Sequence, residues 1–148
     1  GELQPINATG DVDLASLLAY LDGEGGAPEL TKVVRFDLGS VNGAPYGFTD
    51  AAALPDGRVV FVACVEDSPD ATRDGEVLGC VFGFSDGERT TTTPIVDEGG
   101  APTRLKIEGI EARPGETGAF DFVIDVDDAS SPAQRGTLRA PHSSAATG

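Results

Sequence analysis

Two pairs of adjacent acids end two similar segments of the chain and suggest a cation site. One pair, Glu66-Asp67, begins the acidic loop EDSPDATRDGE (66–76), and the other is Asp127-Asp128. Hard cations such as calcium bind about six to eight oxygen ligands, often from loops rich in carboxylates. The candidate metal ligands are therefore Glu66, Asp67, Asp74, Asp125 and Asp127.

The spacing of these acids leaves the cation hypothesis open. It does not match the EF-hand loop, which places acids at alternate positions before a glycine. For the loop 66–76, the alternative is a solvated segment in which Arg73 pairs locally. Asp125 and Asp127 would face the same side of a strand, where their like charges repel each other unless a cation or an arginine lies between them or water solvates them.

The acid pairs belong to an internal repeat that predicts a modular β architecture. FTDAAALP (48–55) and VVFVACVED (59–67) correspond to IEGIEARP (107–114) and FDFVIDVDD (120–128), at offsets of 59 and 61 residues. Each copy is typical of a strand, a proline-containing turn, a second strand and two acids. Such a repeat indicates one structural unit used twice.

Three polar residues on the first strands of the repeat, Asp50, Lys106 and Glu108, are candidates for catalysis. The alignment matches Thr49 with Glu108 and Asp50 with Gly109. Lys106 and Glu108 are two residues apart, so they share a strand face and can neutralise each other. The alternative is a site in which Glu108 binds a cation or acts as a general base. Gly109 leaves room beside Glu108 for a ligand or a neighbouring strand.

Composition limits the classes of partner and reaction. The chain has 148 residues, enough for one domain with a core, and its formal net charge is −15. This acidity argues against nucleic acid or an anionic membrane as a partner, because phosphate groups are bound by basic patches. No apolar stretch approaches the roughly 20 residues that span a bilayer. His142 is the only histidine and there is no G-x-S-x-G, Walker or G-x-G-x-x-G motif, which argues against serine hydrolases and nucleotide-binding loops.

The pattern of apolar residues predicts one helix followed by strands. Leucines at 14, 17, 18 and 21 have helical spacing within 11–22, and Asp11 or Asp13 can cap the start. We interpret 1–30 as an N-terminal segment with this helix, 31–140 as the β region and 141–148 as a disordered tail. The expected strands lie near 32–38, 48–54, 58–66, 77–85, 91–97, 105–112, 119–126 and 135–140.

Cys64 and Cys80 are expected opposite each other, because they lie at nearly equal distances on either side of the predicted hairpin loop 67–76. They are either two reduced core thiols or a cross-strand disulfide, which would imply an oxidising compartment. The sequence leaves the compartment open between cytoplasmic and secreted.

Several motifs resemble a known family. GFTDAAALPDGRVVFVACVED, DGEVLGCVFGF, LKIEG and DVDD, within about residues 30–140, resemble the carboxyl-terminal half of a family of uncharacterised bacterial β-propellers. That family is distantly similar to the esterase-like phytase propellers. The resemblance implies all-β blades of four antiparallel strands, about six in a full propeller. This chain has enough strands for two full or partial blades and one extra strand.

The resemblance suggests two alternative functions. The first is a non-catalytic binding or structural propeller module with calcium at its acidic loops. Because two blades cannot close a ring, the module would belong to a longer propeller or assemble with copies of itself. The second is a calcium-dependent, phytase-like phosphoesterase, in which Asp50, Glu108 and the Asp127 region hold calcium and Lys106 receives phosphate. A self-contained β-sandwich is the alternative fold.

Overall fold

A computed structural model describes residues 6–68, 75–126 and 134–139. The chain divides into two compact units, with the boundary between Asp37 and Leu38. The predicted tail 141–148 lies outside the described residues. In the described part, no helix has the length and apolarity needed to cross a membrane.

The first unit contains the predicted helix, α1 (Leu14–Leu21), and an antiparallel pair of strands, β1 (Asn7–Asp11) and β2 (Thr31–Phe36). Asp13 caps the helix, since its Oδ1 accepts a hydrogen bond of 2.9 Å from the Ser16 backbone N–H. Strand β2 confirms the strand predicted at 32–38. Its partner β1, NATGD, was missed because it has no apolar alternation.

The second unit is built from antiparallel sheets, which confirms the all-β class. Its strands are β3 (Ser40–Val41), β4 (Ala44–Pro45), β5 (Gly47–Ala53), β6 (Val59–Asp67), β7 (Glu76–Ser85), β8 (Thr90–Pro94), β9 (Lys106–Ala112), β10 (Ala119–Asp125) and β11 (Gln134–Arg139). A four-stranded sheet has the order β5-β6-β7-β8, and a three-stranded sheet has the order β11-β10-β9. We call these the first and second sheets. A short hairpin, β3-β4, turns through Asn42 and Gly43, both with positive φ.

The sequence repeat is a structural repeat at the level of single residue pairs. Strands β5 and β6 correspond to β9 and β10, and both pairs have a bulge at the same place. The bulged residue is Thr49 in the first pair and Glu108 in the second, as the alignment predicts. The corresponding register pairs are Ala53↔Val59 with Ala112↔Phe120, Asp50↔Val62 with Gly109↔Val123, Phe48↔Ala63 with Ile107↔Ile124, and Gly47↔Cys64 with Lys106↔Asp125.

The core lies between the two sheets. Strand β9 is in contact with β5, β6 and β7, and its Ile107 and Ile110 are buried against the first sheet. Phe120 of β10 meets Phe82 and Phe84 of β7, with ring centroids 5.0 Å and 5.8 Å apart. The core cluster comprises Val60, Val62, Cys64, Val77, Cys80, Phe82, Ile95, Ile107, Ile110 and Phe120. Non-directional burial of this apolar surface holds the second sheet on the first.

The outer face of the second sheet is polar, unlike the corresponding face of the first. Asp121, Asp125 and Thr137 occupy positions that correspond to Val60, Cys64 and Phe84. The first-sheet residues are in or against the core, whereas the second-sheet residues form hydrogen bonds or face solvent. A polar outer face is typical of a unit that ends a stack.

The Ile107→Ala substitution tests the packing between the sheets. Ile107 is fully buried, so the loss of its side chain leaves a cavity, and we expect the free energy of unfolding to fall by about 2–5 kcal/mol. The matched control is Val123→Ala on β10, where the side chain is 46% exposed and the expected loss is below about 1 kcal/mol. Urea unfolding followed by circular dichroism measures both. Equal losses would contradict this packing.

Candidate functional site

Asp50 joins the edges of the two sheets. It follows the Thr49 bulge in β5, and its Oδ2 accepts a hydrogen bond of 2.8 Å from the backbone N–H of Ile110 in β9. Strand β9 is an edge strand in the described sheet, so this N–H has no strand partner on that side. A Cβ on Gly109 would lie 3.8 Å from Asp50 Oδ2. The room predicted beside Gly109 is therefore used by a neighbouring strand.

Lys106 lies between two carboxylates from different sheets. Its Nζ is 3.8 Å from Glu108 Oε1 on its own strand, and also 3.8 Å from Glu66 Oε1 at the end of β6. The lysine side chain is only 13% exposed, whereas those of Glu66 and Glu108 are 23% and 39% exposed. The expected contact of Lys106 with Glu108 is present, and Glu66 joins it. The ammonium group of Lys106 has little contact with water, and its positive charge offsets the repulsion between the two neighbouring carboxylates.

The other end of the acidic loop also has a cationic partner. Arg104 Nη1 is 2.6 Å from Glu76 Oε1 and also donates a hydrogen bond to the Val77 carbonyl. Glu76 lies opposite Asp67 in the β6-β7 register. Bases at 104 and 106 thus contact acids at both ends of the loop. The sequence signal that could have identified Arg104 is the R-L-K triplet, two bases two residues apart in a strongly acidic chain.

The structure places the candidate metal ligands only in part. Asp74 and Asp127 lie outside the described residues. Asp125 is exposed and lies opposite Lys106 in the β9-β10 register. Within 6–68, 75–126 and 134–139, no group of three or more His, Cys, Asp and Glu is arranged to hold a metal ion.

Cys64 and Cys80 form a disulfide, which decides between the two alternatives left by the sequence. They face each other in the β6-β7 register with their Cα atoms 4.1 Å apart. Both are buried on the face of the first sheet that packs against β9. The Cys80 sulfur lies 3.3 Å from the Leu105 carbonyl oxygen, and the Cys64 sulfur lies 3.8 Å from that of Ile107. The disulfide is thus part of the core between the sheets.

A polar network on the second sheet was not anticipated from the sequence. Arg113 Nη2 donates hydrogen bonds to Asp121 Oδ1 at 2.6 Å and to Thr137 Oγ1 at 2.8 Å, while Nη1 lies 3.3 Å from Glu116 Oε1. The hydrogen bond from Arg113 lowers the pKa of Asp121 below its usual value. The same interaction raises the pKa of Arg113. This network ties β9, β10 and β11 together at the turn that follows β9.

Comparison with known proteins finds one family. Residues 1–129 match the model of a family described as a family of unknown function (DUF6910). No curated protein matches the chain, and no solved structure does.

Substitution of Asp50 tests the link between the sheet edges. Asp50→Ala removes the acceptor of the Ile110 N–H, and a partly buried donor without a partner costs about 1–3 kcal/mol of unfolding free energy. Asp50→Asn keeps a side-chain carbonyl oxygen that can accept the same hydrogen bond, so we expect a smaller loss. Chemical unfolding of both variants measures the difference. If Asp50→Asn were as destabilising as Asp50→Ala, charge rather than the hydrogen bond would be the cause.

Removal of the disulfide tests its contribution to stability. The bond joins residues 16 apart, and closing a loop of this size stabilises a fold by about 3 kcal/mol through the unfolded state. We expect the Cys64→Ala, Cys80→Ala double variant to lose about this amount. As the control, a reducing agent should lower the melting temperature of the wild type and leave that of the double variant unchanged. An equal response of the two proteins would contradict the assignment.

Proposed function

Because the chain belongs to DUF6910, whose description names no activity, we propose its function from its geometry: a non-catalytic binding or structural module of propeller-type blades. The observation that carries the proposal is the residue-for-residue repeat of β5-β6 in β9-β10, with the same bulge. Consecutive, equivalent antiparallel sheets packed face to face are the arrangement expected of neighbouring blades. The modular repeat supports an architecture that presents surfaces rather than one that encloses a cleft.

The contacts of the catalytic candidates support a structural role. Asp50 accepts a hydrogen bond from the Ile110 backbone, and Lys106 is within 3.8 Å of both Glu66 and Glu108. A general base must reach a substrate proton, and a phosphate-binding lysine needs free positive charge. Here the charge of Lys106 is offset by two carboxylates. The ammonium group also offsets the negative charge of Glu66 and Glu108, which would otherwise favour a cation there.

The polar outer face of the second sheet favours a longer array over a closed ring of copies. In a ring, this face would pack against the next blade, as the apolar face of the first sheet packs against β9. Instead it carries Asp121, Thr137 and Arg113 in one hydrogen-bonded network. Desolvating such a network in an interface costs free energy unless every group finds a new partner. We therefore propose that the remaining blades belong to a longer chain and that this face stays in solvent.

The disulfide supports maturation in an oxidising compartment. Structural disulfides form and persist in secreted and periplasmic proteins and are rare in the reducing cytosol. The Cys64–Cys80 bond lies in the core, where its sulfur atoms contact the carbonyl oxygens of Leu105 and Ile107. We propose that the chain is exported. Of the two compartments that the sequence left open, cytoplasmic and secreted, this proposal selects the second.

Hydrolysis and calcium dependence separate this proposal from the phosphoesterase alternative. We expect no release of p-nitrophenol from p-nitrophenyl phosphate, with saturating calcium or with a chelator. We also expect Lys106→Ala to lower the melting temperature, because it removes the positive charge that Glu66 and Glu108 both contact. The matched control is Glu111→Ala, an exposed acid on the same strand.

Two other outcomes of these experiments would support different functions. Calcium-dependent hydrolysis that is lost in Lys106→Ala or Glu108→Ala, but kept in Glu111→Ala, would establish the phosphoesterase and overturn the non-catalytic module. A rise in melting temperature with calcium but no hydrolysis would place calcium in the module, since a ligand that binds only the folded state stabilises it by mass action.

A further inference from the structure

Within residues 6–68, 75–126 and 134–139, the second sheet has three strands where the first sheet has four. Strand β11 corresponds to β7, because both pair a glycine with the repeated phenylalanine: Gly83 with Phe61, and Gly136 with Phe122. In both places a Cβ on the glycine would overlap the aromatic ring, so the two glycines have the same steric role. The first sheet continues from β7 to β8, whereas in the described residues the second sheet ends at β11.

The hydrogen-bonding groups at the edge of β11 follow from the antiparallel register. The Ile110 N–H points away from β10, because it bonds to Asp50. Its register partner Phe122 therefore bonds in the opposite direction, toward Gly136 of β11. Directions alternate along a strand, so the N–H and C=O groups of Arg135 and Thr137 point to the open edge of β11.

The first sheet shows what such an edge accepts. Phe82 and Phe84 of β7 correspond to Arg135 and Thr137, and they lie opposite Thr93 and Thr91 of β8. Strand β8 is a short polar segment, TTTTP, with every residue exposed. Its place in the sheet therefore depends on main-chain hydrogen bonds more than on buried side chains. A segment of similar polarity could pair with β11 in the same way.

Charge indicates which segment fits the edge. Strand β11, QRGTLR, contains two arginines and no acid, in a chain with 25 acids and 10 bases. The Arg135 side chain is exposed, on the face that also bears Thr137. In strand addition, main-chain hydrogen bonds provide affinity and alternate side chains provide specificity. An acidic side chain opposite Arg135 gives a favourable cross-strand pair.

We propose that the open edge of β11 is a strand-addition site for an extended, acid-bearing polypeptide segment of a partner protein, which completes the second sheet as its fourth strand. This partner surface goes beyond the module's proposed function. Its test depends on neither calcium nor hydrolysis, so either proposal can fail alone.

The test uses two fluorescently labelled peptides with the complete, oxidised chain. One alternates threonine and glutamate, and the other alternates threonine and lysine, so both have the same strand propensity and opposite charge. Fluorescence anisotropy should show saturable binding of the glutamate peptide and at least tenfold weaker binding of the lysine peptide. Moderate salt should weaken the preference, because exposed charges are screened.

The Arg135→Pro variant separates strand addition from charge attraction. Proline removes an N–H that points to the open edge, so the β10-β11 hydrogen bonds remain and binding should be lost. Arg135→Ala keeps the N–H and should bind the two peptides about equally. An unchanged melting temperature verifies that both variants are folded. Absence of saturable binding to the wild type, as when another segment or copy of the chain already occupies the edge, would overturn the proposal. So would wild-type affinity in Arg135→Pro.

Discussion

The packing of β9 across the β6-β7 face holds the second unit together, and the other contacts depend on it. Ile107 and Ile110 bury their side chains there, over the Cys64–Cys80 disulfide. This position brings the edge of β9 to Asp50, which satisfies the Ile110 N–H. It also sets Lys106 at the margin of the core, within reach of an acid from each sheet. Apolar burial therefore fixes the place in which the polar groups pair.

The bulges help to explain how the repeated strand pair makes different contacts in the two sheets. Each adds a residue at the corresponding position, which changes the side-chain alternation between the two halves of the strand. After its bulge, β5 presents Asp50 to the next sheet, whereas β9 has Gly109 at that position. The Asp50 link thus runs from the first sheet to the second, and Gly109 cannot form the equivalent link from the second sheet. Together with the polar outer face, this distinguishes the second sheet from the first.

Much of the fold could be predicted from local pattern, and the candidate site only in part. The helix, the strands of the repeat and the contact of Lys106 with Glu108 follow from periodicity and short spacing. The strand β1 and the hairpin β3-β4 were missed because they are short or lack alternation. The contacts of Asp50 with Ile110 and of Lys106 with Glu66 join residues 60 and 40 positions apart. No local pattern encodes such contacts.

The sequence by itself determined the repeated unit, its strand order and its acidic, β-rich character, because these depend on side-chain alternation, turn residues and composition. Tertiary structure alone decided the chemistry of its polar residues. Cys64 and Cys80 become a disulfide because the β6-β7 register sets their Cα atoms 4.1 Å apart. Of the three catalytic candidates, Asp50 and Lys106 contact residues of the other sheet because the two sheets meet at β9, and Glu108 contacts Lys106 on its own strand. Which faces meet is a property of the packed sheets, and it decides whether a carboxylate is available to a ligand or satisfies a neighbouring strand.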